Sequence, residues 1–105
     1  MTDIKSLNDN FRRTFTGGRI LVTAGVNAMS QDDVAQILSR VRNFNDFNTA
    51  NDPYGEHDMA GLDYKGQRIF WKIDYYDRNL QYLSEDPADT SKTIRILTIM
   101  LADEY

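Results

Sequence analysis

A chain of 105 residues with a net charge of −4 is long enough for one core, and its 41% apolar and 27% charged residues are ordinary for a soluble globular protein. It has no cysteine, which excludes a disulfide framework and a thiolate zinc site. No apolar run approaches the ~20 residues of a membrane span, and the polar start Met1-Thr2-Asp3-Ile4-Lys5 is not a secretory signal, so one cytoplasmic domain over residues 1–105 is expected.

Residues 3–15 are predicted as a helix, with Ile4, Leu7, Phe11 and Phe15 on one face and Gly17-Gly18 as its stop. Arg19 to Val26 reads as a strand with small or apolar residues on both faces, hence a central one. Ser30 caps a second helix, which carries Asp32 and Asp33 in its first turn and the stripe Val34, Ile37, Leu38, Val41 and Phe44. A long polar connection follows from Asn43 to Gly55, and connections of about that length are usually functional or mobile.

A hairpin comes next: His57 to Tyr64, a turn at Lys65-Gly66-Gln67, then Arg68 to Tyr76. In its second strand Ile69, Trp71, Ile73 and Tyr75 share the core face, while Phe70, Lys72, Asp74 and Tyr76 share an amphipathic one. Asp77-Arg78-Asn79 turns the chain and Gln81-Tyr82-Leu83 adds a short edge strand. Asp86 and Pro87 open a last helix to about Asp103, expected as the most buried helix because its apolar residues cover more than half its circumference. The fold class is α+β, a small antiparallel sheet of three or four strands with three helices in the order α-β-α-β-β-α.

Charge is unevenly spread. Residues 46–64 hold five acids and no Lys or Arg, and residues 74–105 hold seven acids against three basic residues. Such a field repels nucleic acid and favours basic partners or cations. His57, the only histidine, lies between Glu56 and Asp58. On an extended strand it points away from both, so metal binding or general-base chemistry would need carboxylates from elsewhere, such as Asp52, Asp74 or Asp77. The plainer role is a structural hydrogen-bonding residue that fixes the long loop to the hairpin.

Asp74-Tyr75-Tyr76-Asp77 ends the second hairpin strand, and tyrosines interleaved with acids suit a protein interface. Thr16-Gly17-Gly18-Arg19 precedes a strand, whereas a phosphate loop follows one. Arg12, Arg13 and Arg19 form only a modest basic patch, without a nucleic-acid-reading motif.

The runs Thr14-Phe15-Thr16-Gly17-Gly18-Arg19, Thr23-Ala24-Gly25-Val26, Asn51 to Asp58, Phe70 to Asp77 and Arg95 to Ala102 together resemble a family of small bacterial proteins of unknown function, found on plasmids and other mobile elements. The resemblance spans nearly the whole chain. It implies a small accessory protein, such as one that blocks a host restriction or CRISPR defence complex, and it implies no catalytic residues.

The expected function is therefore a non-enzymatic, protein-binding one. Asp52, Tyr54, Glu56, Asp58, Asp74, Tyr76 and Asp77 are the residues expected to meet a basic partner surface, for instance on a nucleic-acid-processing complex, with no cofactor, no membrane and no direct nucleic acid. The rival class is a small metal-dependent enzyme centred on His57 and nearby carboxylates. A homodimer through the exposed hairpin face is the third.

Overall fold

The computed structural model describes residues 3–105; Met1 and Thr2, part of the N-terminal stretch read above as no secretory signal, lie outside them. The first helix, α1, is Ile4–Thr14. Asp3 caps it by accepting from the Ser6 N–H at 2.8 Å. It ends at Phe15, two residues before the expected glycines, where a left-handed φ of 57° lets the Phe15 N–H bond back to the Phe11 carbonyl.

The expected strand over 19–26 is shorter. β1 is Gly18–Val22, and Thr23 leads into a single helical turn, α2 (Ala24–Asn27). Helix α3, Gln31–Arg42, starts where Ser30 predicted: its Oγ accepts from the Asp33 N–H at 3.1 Å. The hairpin forms as an antiparallel pair of β2 (Met59–Tyr64) and β3 (Gln67–Tyr76), with its first strand starting two residues after His57 and Gln67 in the strand and not in the turn. Lys65 and Gly66 both have positive φ, 48° and 80°. This is the type I′ geometry whose twist matches the strands, and glycine adopts it without steric cost.

The segment expected as a last helix is instead strand β4, Ile94–Leu101, closed by a short 3-10 turn at Ala102–Glu104. Its Ile94, Ile96, Thr98 and Ile99 are β-branched, which favours a strand, and an apolar run this short is as consistent with a strand as with a helix. Asp86 and Asp89 do not start a helix. They hold successive turns by accepting from the backbone of Ala88 and Ser91.

The α+β class holds, with a four-stranded sheet in the order β1-β4-β3-β2. The sheet is mixed rather than antiparallel throughout, because β4 pairs antiparallel with β3 and parallel with β1. Taking the central place itself, β4 moves β1 to the edge. The anticipated strand at 81–83 contributes a single bridge, Tyr76 to Leu83.

The alternation along β3 and β4 gives the sheet two different faces. Ile69, Trp71, Ile73, Leu97 and Ile99 face Phe11, Ile37, Val41 and Val26, and together these form the core under the helices. Among the described residues, the opposite face is met by the 3-10 turn, through Glu104 and Tyr105, and by no α-helix. There Leu21, Ile96, Met100, Tyr76 and the Lys72–Asp74 ion pair (3.1 Å) line an open groove of about 600 Å³. Among the described residues, no helix is long and apolar enough to cross a membrane.

Candidate functional site

The long connection is anchored by its own aromatics. Phe44 and Phe47 meet edge-to-face at 5.0 Å, and each packs edge-on against Trp71. Between these anchors and β2, the side chains of Asn48 and Asn51 hold the loop by bonding its backbone. Asp52 completes it. Only 8% exposed, its carboxylate accepts from the Glu56 and His57 N–H groups at 3.1 and 3.3 Å. It therefore shapes the loop from within, where the expected role was contact with a partner.

His57 is not extended. Its φ is 55°, so the expected strand begins only at Met59. The ring stacks on Phe47 with centroids 3.8 Å apart and places Nδ1 2.9 Å from an Asp9 carboxylate oxygen. Nε2 lies 3.6 Å from Asp52. Both nitrogens thus face carboxylates, but neither neighbour in sequence, Glu56 or Asp58, is one of the partners. The brace role anticipated for His57 matches this geometry, except that it ties the loop to α1 through Asp9. Among the described residues, no group of three or more His, Asp or Glu side chains is placed to hold a metal ion.

Beneath the loop runs a buried polar network that the sequence reading missed. Asn8, fully buried on α1, donates to the Glu56 carbonyl at 3.1 Å and to the Tyr75 hydroxyl at 2.8 Å, and accepts from Arg95 Nε at 2.7 Å. Burial pushes the Tyr75 hydroxyl up to about 12, so it stays protonated. One turn on, the buried Arg12 donates from Nη1 to the carbonyls of Val41, Arg42 and Phe44, which closes the end of α3. Its Nη2 pairs with Asp9 at 3.1 Å, and its guanidinium lies within 5.5 Å of the ring centroids of both Phe47 and Trp71. Asp9 thus joins Arg12 to His57.

This network sets the loop's acids in place without satisfying all of them. Glu56 and Asp58 are half-buried, and among the described residues neither carboxylate forms an ion pair or accepts a side-chain hydrogen bond. Burial pushes both above the ordinary carboxylate range. Repulsion from Asp58 and Asp52 adds to the effect at Glu56, and repulsion from Asp52 and Asp74 adds to it at Asp58. Tyr54 stands 87% exposed beside them and shares a shallow recess with Glu56 and Lys5.

The seven expected site residues are not one surface. Tyr54, Glu56 and Asp58 gather at the loop, with Asp52 buried beneath them. Asp74 and Tyr76 line the groove on the open sheet face, where Asp74 is paired with Lys72. Asp77 is committed to the turn after β3, accepting from the Asn79 and Gln81 N–H groups at 3.2 and 3.0 Å.

A family model described as "Protein of unknown function (DUF3768)" matches residues 22–104. The chain belongs to this DUF3768 family. The resemblance to a family of unknown function therefore holds at that level. The match to DUF3768 takes in the acidic loop, His57, the hairpin and β4, whereas Asn8, Asp9 and Arg12 precede it. No curated protein and no solved structure matches the chain.

Proposed function

We propose that the protein is a non-enzymatic binding module whose acidic pole, Glu56 and Asp58 with Tyr54 at the rim, takes a Lys- or Arg-bearing surface of a protein partner. One observation carries this reading: two half-buried carboxylates beside a third, with no ion pair to either among the described residues. Buried charges are normally paired. A basic side chain from a partner would relieve both the desolvation and the mutual repulsion. Tyr54 supplies large contact area at low entropic cost, and Asp74 extends the field toward the sheet edge.

In this reading Asp52, Asp77 and His57 shape the surface and do not touch the partner. The partner's basic groove is of the kind that otherwise holds nucleic-acid phosphates, so the acids compete with nucleic acid for it. The motif resemblance to accessory proteins of mobile elements makes a host restriction or CRISPR complex the first class of partner to examine.

The test is affinity capture from host lysate with three proteins: wild type, the double variant Glu56→Gln/Asp58→Asn, and Asp103→Asn as an exposed-acid control. The expected result is a protein retained by wild type and control, released as salt screens the charges, and not retained by the double variant. Equal retention by all three proteins, or retention insensitive to salt, overturns the reading.

A further inference from the structure

The chain buries two arginines, Arg12 and Arg95, at 0% and 4% exposure. Arg12 has a carboxylate partner in Asp9. Arg95 has none among the described residues. Its Nε donates to Asn8 Oδ1 and its Nη2 to the Pro87 carbonyl, both at 2.7 Å, and its guanidinium lies over the Tyr75 ring. These are neutral partners. Nη1 makes no hydrogen bond with any described residue. A buried charge without a counter-charge is costly, and a free guanidinium N–H suits an oxyanion.

Arg95 lines a recess of about 230 Å³ between α1 and the segment leading into β4. That volume is several times the ~30 Å³ share of one water. Arg78, Asn10, Thr16, Gly17 and Thr90 also line it, and no Asp or Glu does. The acids next in sequence to lining residues are engaged elsewhere: Asp9 with Arg12 and His57, Asp77 with the backbone of Asn79 and Gln81, Asp89 with the backbone and hydroxyl of Ser91. On a protein of net charge −4, a recess lined by two arginines, the Thr90 hydroxyl and the Asn10 amide, with no acid, suits a small anion better than a polyanion spread over the surface.

We propose that this recess is an oxyanion site for a phosphate group, with Arg95 as its buried base, Arg78 closing over the mouth, and the Thr90 hydroxyl beside it. It is separate from the acidic pole and does not depend on it. A bound phosphate would supply Arg95 with its missing counter-charge, so occupancy stabilises the fold by linkage. The shared chemistry is a tetrahedral phosphate, carried either by inorganic phosphate or by a phosphate monoester.

The experiment is an NMR titration of the full chain with inorganic phosphate, and separately with phosphoserine, each against chloride at matched ionic strength. Backbone amides of Gly17, Arg78 and Thr90 and the Arg95 side-chain Nε–H report the site. The expected result is saturable shifts at these groups with a dissociation constant of roughly 1 mM or below, weakened about tenfold or more by Arg78→Ala, which removes one charge-assisted partner from an exposed residue. Tighter binding of phosphoserine than of inorganic phosphate assigns the site to a phosphorylated ligand, and the reverse assigns it to the free ion. Shifts that do not saturate, that chloride reproduces, or that Arg78→Ala leaves unchanged overturn the proposal. Thr90→Val is a second variant at the same recess, and it should weaken binding while the fold remains intact; phosphate shifts at Thr90 in wild type with affinity unchanged in this variant count against the site.

Discussion

His57 lies flat on Phe47, the two ring planes within 6° of each other. The contact joins the two ends of the long connection. Phe47 anchors the loop on Trp71, and His57 hands it on to Asp9 of α1. The acids between and beyond them are positioned by this stack.

That bracing role predicts a graded response to substitution. His57→Ala removes the stack and the bond to Asp9, and leaves alanine at a φ of 55°. The expected loss is about 2 kcal/mol in urea unfolding. His57→Asn should lose less, because asparagine tolerates the left-handed region and still carries a donor. A loss below about 0.5 kcal/mol for alanine contradicts the role.

The raised carboxylates make stability fall with rising pH. Folded Asp58 and Glu56 hold their protons above the unfolded pKa values, so the native state binds more protons in that window. Their contribution favours the fold at low pH and turns against it as pH climbs through the folded values. Asp58→Asn should therefore raise the urea midpoint at pH 7, with the gain over wild type shrinking toward pH 4. A lower midpoint for the variant at pH 7 would mean that Asp58 is a satisfied structural acid.

Trp71 offers a sharper packing test. Its ring is fully buried in the core, yet Nε1 has no hydrogen-bond partner among the described residues. Trp71→Phe gives up contact area but also removes an unsatisfied buried donor. The two effects oppose each other, so the net change in unfolding free energy should stay within about 1.5 kcal/mol. A loss of about 3 kcal/mol or more, as for outright truncation of a large core side chain, would show that the indole N–H is satisfied.

How much of this was legible in the sequence depended on local patterns. Ser30, the α3 stripe, the hairpin and the alternation of Ile69, Trp71 and Ile73 all follow from spacing and capping, and all are where that spacing puts them. Strand β4 was misread because a central strand is apolar on both faces, which removes the alternation that separates strand from helix. Asn8 escapes the sequence reading, and Arg12, read there as part of a basic patch with Arg13 and Arg19, is fully buried, although both carry a signal. They sit four and eight residues after Ile4, on the same helical stripe as Leu7, Phe11 and Phe15. A polar residue on an apolar stripe points to a buried partner. The partners themselves, Tyr75, Arg95 and the end of α3, lie 29 to 87 residues away, and no local spacing encodes that. The acidic loop was visible as charge, but its division into braced Asp52 and unpaired Glu56 and Asp58 depends on which backbone N–H groups the loop turns inward.

The acidic pole is tested most directly by titrating the isotope-labelled protein with an arginine-rich peptide and following every backbone amide, in wild type and in Glu56→Gln/Asp58→Asn. The predicted result is a set of salt-sensitive shifts concentrated at residues 54–58 and lost in the double variant. Shifts centred on the open sheet face or elsewhere, or shifts that survive neutralisation of both acids, would contradict it.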